Sequence, residues 1–238
     1  MILHTDMVGE GEPLVFLHTG LQTGRTDFEK QREYFSSKYQ VISPDLRGHG
    51  NSHADDLDNY FNQAADDIAE TLSSLEIRSA HIAGGSFGAL VAVFLAKKHP
   101  ELVRTLTISG VTPLKPKNWE SINEEESKFR MNLLKNVDTC AYFDSLHGEG
   151  WQRFIHMGQD EGWYPFEATS SIQSLNMPVL FLIGEGQEHE VKGVTVYKEQ
   201  SDSIHVAVLP FASHLVHSEQ PELYNKTLDV FLSNGHSE

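Results

Sequence analysis

The chain has 238 residues, 39% hydrophobic and 10% aromatic, which is enough for a buried core and too much for a disordered polymer. Its 34 acidic residues against 18 basic ones leave a formal charge of −16, which repels phosphate backbones and anionic headgroups and argues against nucleic acid or membrane partners. A lone Cys140 allows no internal disulfide, no apolar run approaches the ~20 residues of a membrane span, and the N-terminus does not read as a secretion signal, so a cytoplasmic location is expected.

Short apolar runs bounded by Gly, Pro or charge predict the first strands, at Leu14–Leu17 and Tyr39–Ile42. Phe61, Ala64, Ile68, Leu72 and Leu75 then recur at three- and four-residue steps, as on one face of a helix. A strand at Ala80–Ala83 leads into a helix over Phe87–Lys98 that is apolar nearly all round and is stopped by Pro100. Another strand follows at Arg104–Ile108. From Thr112 to Asn176 the rhythm breaks: no strand is convincing, while charge, Trp119, Trp151, Trp163 and Tyr164 accumulate. A helical cap over one end of the sheet is expected there, with extra helices packed on the core as the plainer alternative. Strands resume at Val179–Ile183 and Ile204–Leu209, and Pro221 opens a last helix. The expected fold class is α/β, an open, mostly parallel sheet flanked by helices. Its core would comprise 1–111 and 177–238, with the cap at 112–176.

The sharpest chemical signal is Gly84-Gly-Ser-Phe-Gly88, which fits G-x-S-x-G between a strand and a helix. A turn that tight needs glycine two positions either side of the serine, and it lifts the Ser86 hydroxyl clear of the sheet at a helix N-terminus. Of the 13 histidines, His214 has the best position for a general base, after the last strand and before the C-terminal helix. His18 reads as a brace of its own loop, His49 as a structural residue in a turn, and His81 as a satisfied core residue. No histidine spacing suggests a metal site, and no cofactor is expected.

Four ordered segments carry a resemblance. They are His18-Thr-Gly20 after the first strand, Ser43-Pro-Asp-Leu-Arg-Gly-His-Gly-Asn-Ser52, the turn at Ser86, and Leu209-Pro-Phe-Ala-Ser-His214. On these the chain resembles the α/β-hydrolase fold family, of the small, capped, esterase-like kind, over nearly its whole length. The resemblance implies a catalytic triad with Ser86 as nucleophile and His214 as base. It also implies an oxyanion hole from the backbone N–H groups of Gly20 and Phe87. Thr19 stands where the family has glycine, so Leu21 is an alternative donor.

The triad acid is the open point. The family's spacing after the strand Val179–Ile183 lands on Gln187, which is no carboxylate. A one-residue shift favours Glu188; Gln187 itself, Glu185, or an acid elsewhere or none are the alternatives. Ser86 at the turn excludes the alkyl-transfer relatives of this fold, which need a carboxylate there. The expected activity is a serine hydrolase forming an acyl-enzyme on a small-molecule acyl substrate, an ester, thioester or lactone. The competing reading is a ligand sensor or partner-binding protein with slow or vestigial chemistry.

Overall fold

Residues 1–235 are described by the structure, a computed structural model; 236–238, the end of the second core segment, lie outside the described residues. Among the described residues seven strands, β1 (Thr5–Val8), β2 (Glu12–Leu17), β3 (Tyr39–Pro44), β4 (Ala80–Gly85), β5 (Val103–Ser109), β6 (Val179–Gly184) and β7 (Ile204–Leu209), form one sheet. Their order is β1-β3-β2-β4-β5-β6-β7, and only β1 is antiparallel to its neighbour. This is the expected α/β sheet with one added edge. Thr5-Asp-Met-Val8 carries no strand signal in the sequence: Met7 and Val8 are exposed, so the segment lacks the buried alternation that marks a strand.

The central strands read as continuous apolar runs because both faces are covered. Leu14 and Phe16 point to one side, where they meet Phe35 of α1 (Glu29–Phe35) and Tyr224, Leu228 and Phe231 of α10 (Pro221–Asn234). Val15 and Leu17 point to the other, toward α2 (Tyr60–Ser74) and α3 (Phe87–Lys98). Period-two alternation thus sorts neighbouring residues into two cores. In α3 nine of twelve residues are buried, which explains its lack of a polar face. The stripe Phe61, Ala64, Ile68 and Leu72 of α2 packs against it.

Between β5 and β6 lie four helices, α4 (Trp119–Leu133), α5 (Val137–His147), α6 (Gln152–Met157) and α7 (Phe166–Ser170), with no strand among the described residues of 112–176. Beyond β6 come α8 (Glu188–Gln200) and, after β7, the short α9 (Val216–Glu219). Among the described residues no helix is long and apolar enough to cross a membrane.

Candidate active site

Ser86 sits at the β4–α3 junction with φ 49° and ψ −113°, an unfavourable backbone region for a residue with a Cβ. The turn is closed by close backbone approach. A Cβ on Gly84 would lie 2.5 Å from the Gly88 carbonyl oxygen, and one on Gly88 would lie 2.2 Å from that of Leu17. Both positions therefore require glycine, and strand, turn and helix are locked around the serine.

His214, on the loop between β7 and α9, brings Nε2 to 2.8 Å from the Ser86 hydroxyl. Its Nδ1 meets Oε1 of Glu190 at 2.7 Å. The Glu188 expectation is thereby corrected. Glu188 is exposed and pairs with Lys192, one turn along its own helix. The cause is helical winding. Helix α8 starts at Glu188, and residues ~100° apart on a helix place Glu190 ~200° round from it, on the inward side. Gly193 and Tyr197 share that buried side. The periodicity of Glu190, Gly193 and Tyr197 was the available signal. Gln187 instead donates from Nε2 to Ser213 Oγ, and Glu185 accepts from the Phe211 N–H, so both brace the loop that carries His214.

Glu190 is 1% exposed. Burial alone lowers the His214 pKa, but the hydrogen bond and charge of Glu190 outweigh it and raise the value above the ordinary imidazole range. The pair can hold the Nδ1 proton and present Nε2 to the serine.

Gly20 and Phe87 lie side by side: a Cβ on Gly20 would be 3.7 Å from that of Phe87. Neither backbone N–H has a protein acceptor among the described residues. Leu21 does, since its N–H donates to His49 Nε2 at 3.3 Å and its carbonyl accepts from His147 Nε2 at 3.1 Å. That removes Leu21 as the alternative donor. Three buried histidines fix this loop, and their tautomers follow from the donors facing them. His18 Nε2 accepts from the Leu46 N–H and Nδ1 donates to the Thr19 carbonyl. His49 accepts from Leu21 and donates from Nδ1 to the Arg47 carbonyl. His147 accepts from the Gly50 N–H through Nδ1 and donates to Leu21. Each must be neutral to do both, and burial pushes all three pKa values down. His147, from α5, was not foreseen in this role; nothing in its spacing announces it.

Thr19 fits where glycine was expected because Asp27 receives both its N–H and its hydroxyl, at 2.8 and 2.9 Å. His217 Nε2 lies 2.7 Å from the other Asp27 oxygen. Burial by itself raises the Asp27 pKa, yet His217 and Thr19 hold it well below the usual carboxylate range. Asp27→Ala is expected to cost ~3–5 kcal/mol, since it strands buried partners. A urea melt checks this. Because the folded pKa is depressed, the Asp27 contribution is full above the ordinary value near ~4 and fades as the pH falls below it.

A cavity of about 430 Å³ opens onto Ser86 and His214. Its walls include Gly20 and Phe87 from the core, and Phe129, Ile155, Met157 and Trp163 from the segment between β5 and β6. Trp163 lines it, whereas Trp151 is fully buried elsewhere and donates to Asp144.

A family model described as alpha/beta hydrolase fold matches residues 12–150. (E)-2-((N-methylformamido)methylene)succinate hydrolase of Acinetobacter baylyi is 26% identical, covering 94% of this chain and 91% of its own. 2-(Acetamidomethylene)succinate hydrolase of Mesorhizobium japonicum is 24% identical, over 94% and 89%. Among solved structures, NosK from Streptomyces actuosus superposes with a TM-score of 0.83 at 23% identity, over 96% of this chain and 100% of that one, which speaks to fold alone.

Proposed function

Because this chain belongs to the α/β-hydrolase fold family, we propose that it is a serine hydrolase using Ser86, His214 and Glu190 on a small acyl substrate. The observation that carries this is the continuous chain of short contacts, 2.8 Å from Ser86 to His214 and 2.7 Å from His214 to Glu190, at the floor of a cavity.

The steps follow from the geometry. Nε2 of His214 takes the Ser86 proton as Oγ attacks the carbonyl carbon. The resulting imidazolium is stabilised by the buried Glu190 carboxylate. Negative charge collects on the former carbonyl oxygen, where the N–H groups of Gly20 and Phe87 are free to donate; each such donor contributes ~3–4 kcal/mol in comparable sites. His214 then protonates the leaving group, and water, deprotonated by the same nitrogen, releases the acyl group. The relatives from Acinetobacter and Mesorhizobium are named for hydrolysing acylated aminomethylene succinates, so amide-type bonds stand beside esters, thioesters and lactones as targets.

In this reading the helices of 112–176 cap the site and set its preference. Trp163→Ala should shift relative kcat/KM across a series of 4-nitrophenyl esters by about tenfold for chains that reach the enlarged space. Trp151→Ala should leave that series unchanged and cost ~3–5 kcal/mol in stability, as loss of a fully buried aromatic does. An unaltered series in the Trp163 variant would remove that residue from the cap's role.

A further inference from the structure

The cavity above Ser86 is mostly apolar, yet α4 sets one cation in its wall. Among the described residues that line it, Arg130 is the only Lys or Arg, and Glu126, one turn earlier, the only acid. Nη1 of Arg130 donates to Glu126 and Nη2 to the Gly158 carbonyl, each at 3.1 Å. The guanidinium carbon lies 5.7 Å from the centre of the Trp163 ring. It also rests on Gly158, where a Cβ would come within 3.0 Å of Nε. Glycine at 158 is what lets the guanidinium settle there.

The plain account is an i,i+4 surface ion pair, which contributes little. The surroundings argue otherwise. In the surface pairs Lys128–Glu124 and Lys192–Glu188 the lysines are 67% and 65% exposed, whereas Arg130 is 24% exposed and is held by an aromatic ring, a carbonyl and a carboxylate. A guanidinium has five N–H donors. Two are engaged, and among the described residues Nε is closed in without an acceptor, which leaves one unspent on each terminal nitrogen. A flat, immobilised fork of that kind matches a carboxylate. One cation shared with a glutamate suits a monoanion better than a phosphate dianion.

We propose that Arg130 is the anion-recognition residue of this cavity, and that the substrate carries a carboxylate away from its scissile acyl carbon. The proposal rests on the reading of the Ser86 cavity as the substrate site. Glu126 is 49% exposed and is the group that a substrate carboxylate would displace toward water.

Two chain-matched esters, monomethyl adipate and methyl hexanoate, test this, together with calorimetric titration of adipate, which needs no turnover. The wild-type protein should prefer monomethyl adipate. Arg130→Met should cut that preference and adipate affinity by at least about tenfold while keeping methyl hexanoate within a few-fold, and Arg130→Lys should fall between. Glu126→Gln should tighten adipate binding. Equal use of the two esters by the wild type, equal loss on both in Arg130→Met, or adipate affinity indifferent to Arg130 would overturn the proposal. If neither ester is hydrolysed but adipate binding still depends on Arg130, the hydrolase reading fails and the anion site stands.

Discussion

Ser86→Ala is expected to lower kcat for a short-chain aryl ester by ~10⁴–10⁶-fold, the range seen when a catalytic serine is removed from a triad enzyme. The loss is that large because no other group can form the acyl bond, and His214 is left with nothing to deprotonate. Stability should barely change. Alanine keeps the Cβ, so the backbone strain at φ 49° is the same in both proteins. Only the hydrogen bond to His214 disappears, and a thermal midpoint within ~3 °C of wild type follows. A serine-reactive phosphonate should label Ser86 in the natural chain and nothing in the variant. Full activity in the variant, or a label on another residue, would refute the assignment.

Glu190→Gln should reduce kcat by ~10²–10⁴-fold, the scale on which an orienting carboxylate matters to a histidine base. The amide can still accept from Nδ1, but it cannot stabilise the imidazolium. Glu188→Gln, in contrast, should stay within about twofold, because it alters only an exposed pair with Lys192. The pH profile supplies a second readout. His214 must be neutral to act as a base, and its pKa lies above the ordinary ~6.5 because of Glu190. Activity should therefore be full above that raised value and disappear as the pH falls through it. In Glu190→Gln the limb should move to lower pH, since burial then acts with less opposition. A profile unmoved by Glu190→Gln, or a large loss in Glu188→Gln, would return the role to Glu188.

Most of the fold was legible because its central strands are covered on both faces and therefore read as unbroken apolar runs. Strand β1 was not, since an edge strand with exposed Met7 and Val8 has no such pattern. The meeting of Ser86 with His214 was legible from local constraints: glycines at 84 and 88 that nothing larger could replace, and a histidine placed just after the last strand. The carboxylate was missed because counting along a loop ignores where the next helix begins. Once α8 starts at Glu188, only its third residue faces His214. The histidine shell around Leu21 was partly legible. His18 and His49 lie in segments that read as loops, but His147 reaches the site from about a hundred residues away in sequence, through tertiary packing alone.

Pre-steady-state mixing of the protein with 4-nitrophenyl acetate most directly tests whether this site turns over. Release of many equivalents of nitrophenol at a steady rate is expected, through an acetyl-enzyme on Ser86 that accumulates in any initial burst and is then hydrolysed. One equivalent released and then arrest, or release that survives Ser86→Ala, would contradict it.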